Sequence, residues 1–417
     1  MPGIDTSVAV VLLRLNHHCE VGAVRTLGRL GVPVYAVHDD LGSPAARSRY
    51  VREILPWSLD RNPEADSVEA FLEFGRRIGG RPVLLAPDDR TGDFLADHAE
   101  ALATVFRFPD QPPGLARALS SKKELDGLCR RYGIPTPEAR FPTSRVELLD
   151  AAETLKFPVV LKGIDAYQLH ERVGLRMAIA ANVYELLRLY DAMEDPAEPN
   201  LMAQEYIPGG PESVWMLDGY FDSDSVGHVV AAGQKLRQFP VDTGMTSLGI
   251  CTPNVEVEAM TRRFMKQLGY RGVLDLGYRY DRRDGRYKLL DVNPRLGSTF
   301  RLFAHEPALD VVRALYLDLT GQPIPASRAV SGRRWLVEDF DLASALVTYR
   351  RGELTLREWL GSLRGVQETG WFALDDPLPM AVTARRALQR YRTGRWRGWS
   401  PASSAQRAFG ALCARTR

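Results

Sequence analysis

Three short apolar runs alternate with two helical stretches over the first ninety or so residues, and that alternation limits the chain's start to few architectures. Val8–Leu13 is rich in β-branched residues, and His18 to Leu30 has helical character and is stopped by Gly31. Val32–Val37 is the next apolar run, Ser67–Ile78 reads as a second helix, and Arg81–Ala86 is a third strand. Strands and helices that alternate on short connections predict a parallel sheet covered on both faces. The first strand is followed by Asn16-His17-His18-Cys19 rather than Gly-x-Gly-x-x-Gly, so the dinucleotide fingerprint is missing. Val8–Leu13 is too short to span a bilayer and is interrupted by Arg14. With Asp5 ahead of it and no small-residue cleavage site behind, it reads as a buried strand, not a signal peptide.

The chain has 417 residues, enough for two to three domains that each bury a core. Its 54 Lys+Arg balance 52 Asp+Glu, which excludes a globally basic nucleic-acid binder. Cys19, Cys129, Cys251 and Cys413 form no Cys-x-x-Cys pair, so the sequence predicts neither a zinc ribbon nor a disulfide framework, and a cytoplasmic setting. The proline-rich stretch 109–113 reads as a boundary. A helix with cap residues Ser120-Ser121 follows, running from Lys122 to Tyr132 and ending at Gly133-Ile134-Pro135. Beyond it the pattern predicts helices at Ser144–Leu155 and Val183–Met193, with strands at Pro158–Lys162, Arg176–Ala180 and Leu201–Ile207. After Gly209-Gly210 the chain becomes strand-rich, with Val229–Lys235, Val273–Tyr280 and Arg286–Val292 around a helix at Ala259–Leu268.

The stretch from Asp284 to Arg295 carries the most chemistry. A turn at Asp284-Gly285 launches a strand that ends in Asp291-Val292-Asn293-Pro294-Arg295. Residues two apart on a strand share a face, so the Asp291 carboxylate and the Asn293 amide point the same way. Hard oxygen donors so placed suit Mg²⁺ bridging nucleotide phosphates. Arg295 adds a planar cation matched to a carboxylate or phosphoryl oxygen.

In this stretch and in three others the sequence resembles the ATP-grasp superfamily, in its carboxylate–amine ligase branch. Lys122 opens its helix as the family's first phosphate-contacting lysine does, and the spacing to Gly133 favours it over Lys123. Phe157-Pro158-Val159-Val160-Leu161-Lys162 looks like the strand that carries the second ATP lysine. Gln204-Glu205-Tyr206-Ile207-Pro208-Gly209-Gly210-Pro211-Glu212 looks like the hinge strand, whose backbone reads adenine and whose later glutamate takes the ribose hydroxyls. Asp291-Val292-Asn293-Pro294-Arg295 looks like the metal-binding strand. The ordered set spans about Lys122 to Arg301, and the alternating segment before it matches the family's preceding domain.

Two departures stand out. Alignment through the Asp284-Gly285 turn puts Gly277 where many members carry an acidic metal ligand, and Asp275, one pleat back on the same face, is taken as that ligand instead. The glycine-rich phosphate cover is replaced by a bulkier stretch, 163–174, read as a loop. Lys235 and Arg237 alternate to one face of a strand and suit the γ-phosphate and the acceptor carboxylate; the same pattern also describes an exposed basic strand edge. The loop around Gly244 and the Gly297–Arg301 run are read as lining the substrate pocket. The pairs Asp39-Asp40 and Asp88-Asp89 end strands, and read as turn and cap carboxylates more readily than as ligands. His17-His18 reads as a helix cap or a substrate contact, since adjacent helical residues diverge too far to share a metal.

The resemblance thus implies an α/β and α+β multidomain chain. A Rossmann-like domain at 1–115 would precede an ATP-grasp domain at 116–325, with a small subdomain near 140–207 and a larger one near 208–325. A C-terminal extension at 326–417 would end in an arginine-rich tail. The implied reaction is ATP- and Mg²⁺-dependent coupling of a small carboxylate to an amine, with Mn²⁺ as a possible substitute. Arg295, Lys235 and Arg237 would be catalytic; Lys122, Lys162, Glu205, Tyr206, Ile207 and Glu212 would hold ATP; Asp275, Asn293 and Asp291 would hold metal. The other readings are a catalytically degenerate nucleotide binder and a ligase for a thiol or bicarbonate. The tail, with Leu388, Tyr391, Trp396 and Trp399, reads as a solvated helix fraying into the terminus rather than as a membrane anchor.

Overall fold

The computed structural model describes residues 3–175, 177–241 and 244–392. Trp396, Trp399 and most of the arginine-rich tail lie outside the described residues, as does Thr243 of the glycine loop. The chain divides into two units, one formed by residues up to Ser120 with Val214–Gly277 and Val292–Gln389, the other by Ser121–Ser213 with Tyr278–Asp291.

The first unit begins with a four-stranded sheet of β1 (Val10–Leu13), β2 (Val34–Val37), β3 (Val51–Leu55) and β4 (Val83–Leu85), in the order β3-β2-β1-β4. Every pair is parallel, with Val10 opposite both Val34 and Val83. Helices His18–Gly28 and Glu64–Ile78 make the crossovers, so the strand–helix alternation yields the parallel sheet it predicts. β1 is buried at all four positions, as expected of a strand covered on both faces. β3 escapes the sequence pattern because it is an edge strand, Val-Arg-Glu-Ile-Leu, with Arg52 and Glu53 exposed.

The second unit holds a four-stranded antiparallel sheet of β5 (Ala139–Arg140), β6 (Val159–Gly163), β7 (Met177–Ala180) and β8 (Leu201–Glu205), in the order β5-β8-β6-β7. Helices Arg145–Thr154 and Val183–Met193 are each capped by a side chain, Ser144 on Glu147 N and Asn182 on Glu185 N. Their apolar faces meet Val159 and Leu161 in one core. Strand alternation therefore turns Val160 and Lys162 to the opposite face, where both are half-buried. Residues 166–173, within the stretch read as a loop, form a helix instead (Ala166–Val173). It contains no glycine, the two of the stretch being Gly163 and Gly174 at its ends, and this composition favours helix over an open cover.

Seven of the remaining strands form one sheet, β13-β12-β9-β10-β11-β16-β17. They are β9 (Val214–Phe221), β10 (Ala231–Phe239), β11 (Met245–Cys251), β12 (Gly272–Asp281), β13 (Arg286–Asn293), β16 (Arg334–Leu336) and β17 (Val366–Thr369). A two-stranded ribbon, β14 (His305–Glu306) with β15 (Arg328–Ala329), lies between them in sequence. The far end of β12 and most of β13 belong to the second unit.

In the first unit, the helix His18–Gly28 is anchored by a buried ion pair. Arg25 Nε lies 3.0 Å from Asp376 Oδ2, and the two side chains are 4% and 1% exposed. Arg25 Nη2 also donates to the Trp371 and Asp376 carbonyls at 2.7 Å, while Ser48 Oγ and Arg49 N donate to the Asp376 carboxylate. Removing one partner of such a pair leaves an unpaired buried charge. Asp376→Ala is therefore expected to destabilise the protein by roughly 3–5 kcal/mol. Chemical denaturation against Leu374→Ala, at a 90% exposed site two residues away, checks this.

Candidate functional site

In the second unit, the open face of β6 meets the start of the helix Lys122–Tyr132. Ser121 caps that helix and Gly133, at φ 66°, ends it in the left-handed conformation, so Lys122 stands in the first turn. Lys122, Lys162, Asp126, Thr136, Met202, Gln204 and Leu290 line one small pocket. Lys122 Nζ donates to the Ile164 carbonyl at 3.2 Å. Among the described residues neither Lys122 nor Lys162 forms an ion pair with a carboxylate. Burial first, and then the like charge of Lys122, pull the Lys162 ammonium down to about 8, with Asp291 acting in the other direction. Two cations that repel each other on a half-buried face are poised for an anion.

The hinge strand is tied down by cations from the β12–β13 hairpin. Glu205 meets Arg283 at 2.8 Å and Lys288 at 3.5 Å. Both cations also bind buried Asp281, whose carboxyl is held far below its usual range, by Arg283 above all. Arg279 stacks over Tyr206 at 5.8 Å and donates to the Gly209 carbonyl at 2.5 Å; Arg282 reaches Glu212 at 3.5 Å. Ile207 is buried and Glu212 is exposed. The structure thus brings Glu205, Tyr206 and Glu212 under one set of cations. Arg279, Arg282, Arg283 and Lys288 escaped sequence reading, since a hairpin rich in charge has the composition of an ordinary solvated turn.

In the first unit, the Asp275 carboxylate on β12 accepts from Asn293 Nδ2 at 3.1 Å and Arg295 Nη1 at 3.2 Å. Arg295 Nε also donates to Asp89 at 2.8 Å. Burial opposes the Arg295 charge, but Asp89 and Asp275 more than compensate and raise its pKa. Asp89 thereby has a partner at the site, while Asp88 caps a helix at Thr91 N and pairs with Arg14. Asp218 on β9 also faces this cluster and was not legible in sequence. It is 1% exposed, accepts from Thr299 Oγ1 at 3.4 Å, and its Oδ1 has no hydrogen-bond partner. Burial and the neighbouring Asp275 push its carboxyl well up. A Cβ at Gly297 would lie 2.1 Å from that Oδ1 and 3.0 Å from Asp275 Cβ, so only glycine allows this approach.

The oxygen donors fit a hard cation. Asn293 donates its amide N–H to Asp275, and the oxygen of an amide is a hard acceptor. Asp218 adds an unpartnered buried oxygen. Among the described residues no group of three His, Cys, Asp or Glu is arranged to hold a metal. Asp291, two residues before Asn293 on β13, is exposed and lies in the second unit.

Lys235 and Arg237 take different partners. Lys235 Nζ donates to the Gly244 carbonyl at 3.0 Å. The β10–β11 ladder is irregular at Arg237, and its guanidinium grips the buried Asp341 at 2.7 and 2.9 Å and Ser362 Oγ at 2.7 Å. Asp341 also accepts from Trp359 Nε1 and Ser247 Oγ. Arg237 is therefore fixed in place, not an open strand edge. His17 begins its helix, where its N–H donates to Glu20, and His18 packs among Trp335, Phe340 and Trp371. Burial drops His18 to about 3, so it is a neutral core residue.

No protein-family model matches the chain. A D-aspartate ligase of Enterococcus faecium is 24% identical over 279 residues, which cover 63% of this chain and 65% of that one. The match thus spans just under two thirds of that relative's length. The biotin carboxylase of Campylobacter jejuni, solved with β,γ-ATP, superposes with a TM-score of 0.63 at 14% identity, over 78% of this chain and 74% of that one. An L-amino acid ligase of Bacillus licheniformis gives 0.56 at 14% identity, over 79% and 76%. The chain has the ATP-grasp fold that its ordered motifs resemble.

The Lys162 environment sets a pH dependence for anion binding. Below about pH 8 the ammonium is charged and suits an anion; above it the free protein loses that charge. ADP affinity is expected to be flat below that pH and to fall by up to about tenfold per unit above it. Titration calorimetry from pH 7 to 9.5 measures this, and Lys162→Met should flatten the profile.

Proposed function

We propose that the chain is an ATP- and Mg²⁺-dependent ligase that activates a carboxylate as its acylphosphate and couples it to an amine. The observation that carries the reading is the pair Lys122 and Lys162, two ammoniums in one pocket that form no ion pair with a carboxylate among the described residues. Such a pair matches a polyphosphate chain. The D-aspartate ligase and L-amino acid ligase likenesses support amide formation with an amino acid as one substrate. In this reading residues 1–115 are the Rossmann-like domain, 116–325 the ATP-grasp domain and 326–417 the C-terminal extension, and the protein works in the cytoplasm.

Lys122 and Lys162 hold the α- and β-phosphates. Glu205, Tyr206, Ile207 and Glu212 seat the adenosine, with the cations of the β12–β13 hairpin holding that strand still. Asp275, Asp291 and Asn293 hold Mg²⁺, which when bound neutralises phosphate charge. The substrate carboxylate oxygen attacks the γ-phosphorus, and ADP leaves. The amine then attacks the acyl carbon, loses a proton, and displaces inorganic phosphate. Arg295, held by Asp89 and Asp275, stabilises the oxyanion of each step, with Lys235 and Arg237 on the acceptor side. The work of the site is positioning and charge stabilisation in a preorganised field.

ADP release, screened with amino acids as acid and amine, tests this. Asp291→Ala and Lys162→Ala are each expected to lower turnover by about a hundredfold or more, in line with losing one preorganised charge contact. Parent-like turnover in both variants would reject the site assignment. Mg²⁺-dependent ATP binding with no ADP release across the panel would instead mark a degenerate nucleotide binder. Product mass separates amide from thioester or carboxylation products.

A further inference from the structure

A second charged pocket, of about 340 Å³, lies in the first unit; it includes Arg301, the end of the run read as facing substrate, and none of the groups assigned to nucleotide, metal or catalysis. Arg301, Arg313 and Arg333 line it with Asp310, Glu368 and His305. The guanidiniums are only 13–14% exposed, so each is largely withdrawn from water. Arg301 pairs with Glu368 through two contacts of 2.7 Å and with Asp310 at 2.5 Å. Arg333 shares Glu368 through Nη2 and donates Nε to the Arg301 carbonyl. Arg313 is 3.9 Å from Asp310 and otherwise donates to neutral oxygens of Thr26 and Ala308.

The charges in this pocket do not close. Three guanidiniums face two carboxylates, and both carboxylates are already shared. Glu306 also lines the pocket but is exposed, where water screens its charge. A buried surplus charge is costly unless an opposite charge joins it. Burial pulls both Arg313 and Arg333 below the usual arginine range in spite of the nearby acids. A second, independent sign comes from β14. His305 is 4% exposed, its Nδ1 meets Ser327 Oγ at 3.0 Å, and its Nε2 has no hydrogen-bond partner. When Nδ1 accepts the Ser327 hydroxyl proton, Nε2 carries a hydrogen with nothing to receive it. Buried polar atoms of this kind are normally satisfied.

We propose that this pocket is a binding site for a small oxyanion, a carboxylate or inorganic phosphate, seated against Arg333 and Arg313 and accepting from His305 Nε2. Guanidiniums and an imidazole N–H are the donors that such an anion takes, and the volume exceeds what one phosphate or a short carboxylate fills. The inference stands on this pocket alone and does not depend on the ligase reading.

The full-length protein titrated with inorganic phosphate and, separately, with acetate, at ionic strength held constant with chloride, tests it by calorimetry and by the shift in melting temperature. A saturable site that persists in Lys162→Ala is expected for at least one anion, and whichever anion saturates it names the source. Arg333→Gln should weaken that binding at least tenfold. Glu368→Gln, which enlarges the positive surplus, should tighten it; opposite shifts from two partners of one ion pair are not the result of general loosening. Circular dichroism checks that both variants are folded, and wild-type titration decides alone if neither is. Lys162→Ala should leave the binding in place. Absence of saturable binding by either anion, unchanged affinity in Arg333→Gln, equal weakening in both pair variants, or loss in Lys162→Ala would each overturn the proposal.

Discussion

The cost of taking a guanidinium out of water organises this molecule. Arg25, Arg237, Arg295 and Arg301 are all largely buried, and each is closed by a carboxylate from a distant part of the sequence, Asp376, Asp341, Asp89 and Glu368, with the nearer Asp275 and Asp310 adding to Arg295 and Arg301. Each of these pairs fixes one segment against another, because a buried charge that loses its partner is far less tolerable than one left in water. The lysines of the second unit show the opposite arrangement. Lys122 and Lys162 share a pocket, repel each other, and have no carboxylate ion-pair partner among the described residues. Against a background in which buried cations are paired, two left in this state are best explained by a ligand that supplies the missing charge. The same reasoning, applied to the surplus around Arg333, separates a structural arginine network from one with room for an anion.

Much of this is legible in the amino-acid sequence, for identifiable reasons. Core-facing strands such as Val10–Leu13 and Val159–Gly163 signal themselves by apolar runs, and Ser121, Ser144 and Gly133 punctuate helices because their side chains or backbones do specific work at the ends. Strand periodicity and resemblance pair Asp291 with Asn293 and Arg295, and alignment adds Asp275 in place of Gly277; in the first unit Asp275, Asn293 and Arg295 share hydrogen bonds, while Asp291 is exposed in the second unit. What sequence did not expose are partnerships over long separations. Asp218 is one acid in a hydrophobic strand, and nothing local distinguishes it from a surface residue until Gly297 and Asp275 are brought beside it. Likewise, β3 carries too much charge to read as a strand, and the helix at Ala166–Val173 replaced an expected loop because family analogy outweighed local propensity there.

The carboxylates Asp341, Glu368, Asp375 and Asp376 all come from the last part of the described chain. Asp341 holds Arg237, Glu368 holds Arg301 and Arg333, and Asp375 and Asp376 hold Arg29 and Arg25. β16 and β17 from the same stretch complete the seven-stranded sheet, with Arg334 opposite both Ile250 and Val366. Shortening the chain before Glu338 would remove one sheet edge and leave several buried guanidiniums without counter-charges at once. Since one such loss is already severe, those losses together place residues 338–376 among the conditions for folding of the first unit, and only through that fold do they bear on Arg237, the one of these arginines assigned to the acceptor side.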